Sequence, residues 1–266
     1  MGKLVVFWSP YSGLASVTAS MCAVIGALGT QYPEMEIAVS HTKSNATDLE
    51  KMLDFRVGVL GKKELYEKSG MAALTLNYMQ AVLTPEKIRR CALPLLMKSI
   101  YLFPAVGMTG LSEEVSLKII SEHLKKEFPA VFLDLESGRN PISLNYMKAA
   151  DFVVVVLPQN PAYWEKFSYE IPGELEGKEL GFLIGDYLET SGYSINFFGK
   201  QKEYRNKGKV IGGIPVNAGY RDAMIEGRTL EFFLKNQFAG KKEENYEFIV
   251  QTKKAAEYIK KTVFDA

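Results

Sequence analysis

The feature that most limits what this chain can fold into is an alternation of short, uniformly apolar, β-branched runs with longer stretches of helical periodicity. Lys3–Trp8, Glu36–Ser40, Ser99–Phe103, Val131–Asp134, Phe152–Leu157, Leu180–Gly185 and Val210–Gly213 read as strands. Apolar side chains pointing both ways require cover on both faces, the condition of parallel strands joined by helical crossovers. Among the intervening segments, Glu113–Lys126 places Val115, Ile119, Ile120 and Leu124 on one helical face, with Ser112 as its cap. Pro141–Ala150, Tyr220–Glu226 and Asn245–Val263 are further helix candidates, and residues 14–28 read as a buried helix. The expected fold class is α/β: a doubly wound, mostly parallel sheet with helices on both faces. From Asp54 to Leu96 there are helices but no convincing strand, so this stretch reads as a helical excursion between two strands. With no internal repeat, low-complexity tract or Pro/Ser linker, residues 1–266 are read as a single domain.

Composition narrows the function. The 32 Lys plus Arg nearly balance 31 Asp plus Glu, so a global polyanion-binding surface is not indicated and nucleic acid is not an expected partner. Lys200–Lys209 is a basic run interrupted by Glu203, read as a solvated loop in preference to a lipid or nucleic-acid patch. The two cysteines, Cys22 and Cys91, lack CxxC spacing, and the histidines are only His41 and His123, so a zinc site is not expected. Few cysteines and no secretory signal point to the cytoplasm. Residues 14–28 carry Ser16, Thr18 and Ser20 and are too short and polar to span a bilayer.

In an open α/β sheet the first strand-to-helix turn is the usual phosphate site. Here it is Ser9-Pro10-Tyr11-Ser12-Gly13-Leu14-Ala15-Ser16-Val17-Thr18. A working phosphate loop needs glycines, a lysine for the β/γ phosphates and a Ser/Thr for magnesium. One register keeps Thr18 as the magnesium hydroxyl and puts Val17 where lysine belongs; the other, one residue back, puts Ser16 there and Val17 on the metal. Neither supplies a cation, for between Lys3 and Lys43 there is no Lys or Arg at all. The turn is then either a plain tight turn or a degenerate anion nest, with Ser12, Gly13, Ser16, Val17 and Thr18 as its binding candidates. Losing a charge-assisted hydrogen bond costs on the order of 1.5–3 kcal/mol, which leaves room for weak nucleotide binding. Efficient phosphoryl transfer, which depends on cations stabilising developing charge, is not left room.

Three later segments carry a resemblance. Phe132-Leu133-Asp134-Leu135-Glu136-Ser137-Gly138 is a strand, an Asp and a small-residue turn. Ala149-Ala150-Asp151 leads into Phe152–Leu157, and Gly212-Gly213-Ile214-Pro215-Val216-Asn217 leads into Tyr220-Arg221-Asp222-Ala223. With the Ser9–Thr18 turn and in this order, they resemble the MinD/ParA family of P-loop proteins, nearest the TadZ/CpaE branch associated with positioning Tad-type pili. The resemblance implies ATP and Mg as ligands, Thr18 and Asp134 at the metal, and Pro215 near the nucleotide base. It also implies a homodimer, protein partners of a localisation or assembly system, and recruitment to the inner membrane face or a cell pole.

Departures from the family pattern matter as much. Where the family has Asp-x-Asp after its second strand, this chain has Val39-Ser40-His41-Thr42-Lys43, with no carboxylate until Asp48. His41 is a candidate base, though a lone His in a polar turn is expected to be solvated. Gly185-Asp186-Tyr187 replaces the usual Asn-Arg of the base-recognition strand. Arg139 is the candidate replacement cation, with Asn140 beside it, against an exposed turn; Asp134 and Glu136 are either a remnant metal site or loop solvation. In the last helix Phe248, Ile249, Ala256, Ile259 and Val263 form an apolar face, read as docked on the sheet, with a membrane-surface helix as the alternative. The expected function is a degenerate MinD/ParA-like pseudo-ATPase acting as a localisation or assembly scaffold. The alternatives are a genuine positioning ATPase using a cation from outside the loop, and an interaction module with a dead nucleotide site.

Overall fold

The computed structural model describes residues 1–43, 48–55, 69–105, 113–170, 173–202 and 206–265. Its strands are β1 (Lys3–Trp8), β2 (Ile37–His41), β3 (Leu93–Pro94), β4 (Ile100–Leu102), β5 (Ala130–Asp134), β6 (Phe152–Pro158), β7 (Leu180–Tyr187) and β8 (Lys209–Pro215). They form one eight-stranded sheet in the order β3-β4-β2-β5-β1-β6-β7-β8. Every pairing is parallel except β3 with β4. The apolar runs expected to be strands all lie in this sheet. The two-residue β3 was not foreseen, because Leu93-Pro94 is too short to show a period and Pro confines it to an edge.

Helices cover both faces. One face packs α1 (Val17–Gln31), α2 (Asp48–Leu53), α10 (Ala218–Ile225), α11 (Thr229–Asn236) and α12 (Tyr246–Ile259) against Val5, Phe7, Ile37, Val39, Phe132 and Val154. The other packs α3 (Gly70–Met79), α4 (Pro85–Cys91), α5 (Glu113–Lys118), α6 (Lys125–Glu127), α7 (Pro141–Ala149), α8 (Pro161–Tyr169) and α9 (Ile195–Lys200) against Leu4, Val6, Trp8, Val131 and Val153. Between α5 and α6 a π-turn, Ile119–Leu124, keeps one continuous helix, close to the Glu113–Lys126 read from the sequence. Its expected cap, Ser112, lies outside the described residues.

The helix after the first strand is apolar nearly all round, and the structure explains why. Met21, Cys22, Ala23, Val24, Ile25, Ala27 and Leu28 are all fully buried, because α1 is sandwiched between the sheet and α11 and α12. Each large side chain so buried stabilises the fold by roughly 1.5–3 kcal/mol. Gly26 is the point of closest approach: a Cβ there would stand 2.3 Å from the Phe233 ring of α11. The terminal α12 docks in the same layer, with Phe248, Ile249, Ala256, Ile259 and, in the following turn, Val263 all buried. Its apolar face is therefore occupied by the protein's own core. No described helix is long and apolar enough to cross a membrane.

Candidate functional site

Parallel pairing brings the carboxyl ends of β2, β5 and β1 together. Asp134, the last residue of β5, stands beside His41 of β2 and Phe7 of β1. Two bonds extend the β2–β5 pairing past the strand end: Thr42 N donates to the Asp134 carbonyl at 3.0 Å, and Glu136 N donates to Thr42 Oγ1 at 3.0 Å. On the opposite side the Ser9–Thr18 turn is stitched to the turn after β5. Gly138 N donates to the Ser9 carbonyl at 2.8 Å, and Trp8 Nε1 donates to the Gly138 carbonyl at 2.9 Å.

Thr18, in the first turn of α1, donates its hydroxyl to Asp134 Oδ2 at 2.6 Å. Of the two residues the registers offered for the metal, Thr18 is the one bonded to Asp134. Val17, the alternative, is buried in the core below the loop, while Ser12 and Gly13 sit on its exposed rim. Ser16 has a left-handed backbone, φ 48, and its hydroxyl donates to Asp186 Oδ2. Asp186 is left-handed as well, φ 47. A non-glycine residue in that region costs on the order of 1–2 kcal/mol, so the Ser16–Asp186 bond offsets strain at both of its ends.

The unexpected member of the site is Lys43. Its ammonium donates to Asp134 Oδ2 at 2.7 Å and also to Thr18 Oγ1. Asp134 is fully buried and the Lys43 side chain is 22% exposed. Lys43 is itself held in place, for its backbone N donates to His41 Nδ1 at 3.1 Å. With Nδ1 accepting, the His41 proton is on Nε2, which donates to Glu50 Oε1 at 2.7 Å. Glu50 Oε1 also accepts from Ala105 N at 3.3 Å. His41 is therefore a buried structural side chain, 2% exposed, and not a solvated one. The sequence showed a polar turn, whereas α2 folds over that turn and supplies the partner.

The remaining candidates are dispersed. Arg139 faces Glu170, Nη2 to Oε2 at 3.9 Å with both side chains about half exposed, and is not among the groups gathered around Asp134. Asn140 caps α7, accepting from Ser143 N at 2.8 Å. Glu136 is exposed while Asp134 is buried, so the two make no carboxylate pair. The helix α2 begins at Asp48, and Glu203 and Arg205 of the basic run lie outside the described residues. Pro215 shares a narrow cleft with Ser16, Asp186, Asn217, Tyr220 and Arg221, which leaves about 20 Å³, room for roughly one water. Tyr220 closes its floor by donating to the Ala19 carbonyl at 2.6 Å. Under the site, burial foremost and the Asp134 carboxylate next push the Cys22 thiol well up, so it stays an unreactive thiol.

Hard oxygen donors such as Thr18 Oγ1 and Asp134 Oδ2 suit magnesium. As arranged they do not fit it, because the Lys43 ammonium is bonded to both of those atoms. A dication about 4 Å from that ammonium would be repelled by roughly 8 kcal/mol at an effective dielectric constant of about 20. Asp134 Oδ1 is buried without a hydrogen-bond partner among the described residues, so the carboxylate leans on its single Oδ2 contact set. Lys43 was visible in the sequence as the first cation after the cation-free stretch. Nothing there showed that it meets Asp134.

No family model matches the chain, and no curated protein matches it. Solved structures do. The septum site-determining protein MinD of Pyrococcus horikoshii, complexed with Mg-ADP, aligns at TM-score 0.67 and 14% identity over 98% of this chain and 97% of that one. The MinC:MinD complex of Aquifex aeolicus aligns at TM-score 0.69 and 14% identity over 97% of this chain and 95% of that one. The ParA family ATPase of Chlorobium tepidum aligns at TM-score 0.69 and 12% identity over 97% and 100%.

Proposed function

We propose that this chain, which has the α/β P-loop fold of the MinD and ParA ATPases, is a scaffold of that fold that turns over nucleotide negligibly or not at all. The observation that carries the reading is the pairing of Lys43 with Asp134 and Thr18. The loop contributes no cation of its own, and the nearest one is committed to the carboxylate. Phosphoryl transfer in P-loop proteins works by cations set against the transferring phosphate, so this arrangement supports a scaffold over a catalyst. At the end of β2, where a carboxylate would orient water, stand His41, bonded to Glu50, and Lys43.

The fold's structural neighbours support a role in positioning. They include a septum site-determining protein, a MinC:MinD complex and a ParA family ATPase. A degenerate loop on the same fold supports a localisation or assembly role, with a homodimer and protein partners at a cell-envelope machine such as a Tad-type pilus. The competing reading is an ATPase with a cation from outside the loop, either Arg139, which acts electrostatically on Tyr11 of the turn, or Lys43. Calorimetric titration with ATP, with and without magnesium, followed by phosphate release, separates them. Weak binding with no release is expected. Sustained turnover abolished by Asp134→Ala would replace the scaffold reading with the ATPase one, and no binding at all would leave a pure interaction module.

A further inference from the structure

We propose that Lys43 is the protein's own substitute for a divalent cation: its ammonium is the permanent counter-ion of the Thr18–Asp134 pair, and the pair takes no metal while Lys43 is present. This rests on reading the Ser9–Thr18 turn as a phosphate-type loop. Three observations support it independently of that reading. The ammonium bonds to both oxygen donors at once, the placement of a bridging ion and not of a casual surface contact. Its partner is fully buried, so the carboxylate depends on that charge for compensation.

The lysine is also delivered by a built support. The β2–β5 register sets His41 beside Asp134, Thr42 N bonds to the Asp134 carbonyl, and Lys43 N bonds to His41 Nδ1. Glu50, fully buried, fixes the His41 ring from behind. These bonds fix the backbone from which the lysine stem starts, so its ammonium lies within reach of Asp134. A tethered cation of this kind stays at high local concentration beside the carboxylate. A metal ion would have to displace it, which weakens metal binding at the site.

Manganese is the probe, followed by electron paramagnetic resonance and by thermal unfolding. The wild-type protein should show no manganese site that Asp134→Asn removes. Lys43→Met strands a buried carboxylate and should lower Tm by about 5 °C. Manganese should then restore much of that loss and register as a new bound site. The double variant, Lys43→Met with Asp134→Asn, should recover stability without metal and lose the response. An Asp134-dependent manganese site in the wild type, shown by its loss in a folded Asp134→Asn protein, overturns the inference. A folded Lys43→Met protein that gains no site overturns it too. Phosphate release reports separately: turnover by a wild-type protein without a manganese site would defeat the scaffold reading and leave the lysine assignment standing.

Discussion

Glu50 serves two donors in the interior, His41 Nε2–H and Ala105 N–H, through its single oxygen Oε1. Glu50→Ala strands both where no water reaches, and should cost about 2–4 kcal/mol, the penalty of unmade buried hydrogen bonds. Glu50→Gln keeps an acceptor of the same shape and should cost less than about half as much. Urea unfolding of the two variants checks the ordering, and equal losses would mean that charge, not acceptor geometry, is what His41 needs. At the same scale, Ser16 and Asp186 show a substitution that the fold absorbs. A left-handed serine stands where a phosphate loop uses glycine, and its hydroxyl is bonded to a left-handed aspartate at the end of β7, two strands away from β1.

Among the elements, the contact of β7 with the Ser9–Thr18 turn decides how the site closes. A Cβ on Gly185 would lie 1.9 Å from the Ala15 carbonyl oxygen, so the strand end and the turn touch through backbone alone. Gly185→Ala forces them apart and should destabilise by about 1–3 kcal/mol, as overpacking does. The same displacement should break the Ser16–Asp186 bond, and faster amide exchange in the first turn of α1 would report it. Unchanged exchange and stability would show that the turn yields without cost. The terminal α12 is decided at this scale too. Its Phe248, Ile249 and Ile259 are spent on the core, so a bilayer would have to compete with contacts already made.

For the whole molecule, one cluster on the edge of the sheet opposite the site ties together several elements. Arg89 of α4 makes a bidentate pair with Glu36, Nη1 to Oε1 at 2.7 Å and Nη2 to Oε2 at 2.9 Å, bonds Glu127 through Nε, and lies over the rings of Tyr101 and Phe128. The Arg89 hydrogen bonds hold the Glu36 carboxyl below its usual range, against the opposing effect of burial. A folded value below the unfolded one of about 4.3 means stability that is full above that pH and lost as pH falls through the lower folded value. Arg89→Met should therefore cost about 1 kcal/mol at neutral pH, a part-exposed but bidentate pair, and the difference from wild type should shrink on acidification. Unfolding midpoints at pH 7 and pH 3 test it, and a constant difference would assign the effect to the aromatic contacts. What the sequence determined by itself was whatever is written in consecutive residues. The doubly wound sheet followed from apolar runs that need cover on both faces, and the cation-poor loop from the absence of Lys and Arg between Lys3 and Lys43. His41 as a buried ring, Asp186 on Ser16 and Lys43 on Asp134 were decided only by the tertiary structure. Lys43 and Asp134 lie 91 residues apart, and they meet because β2 and β5 pair in parallel with His41 beside Asp134. Strand pairing is a non-local choice, and no period in either segment records which neighbour the other will have.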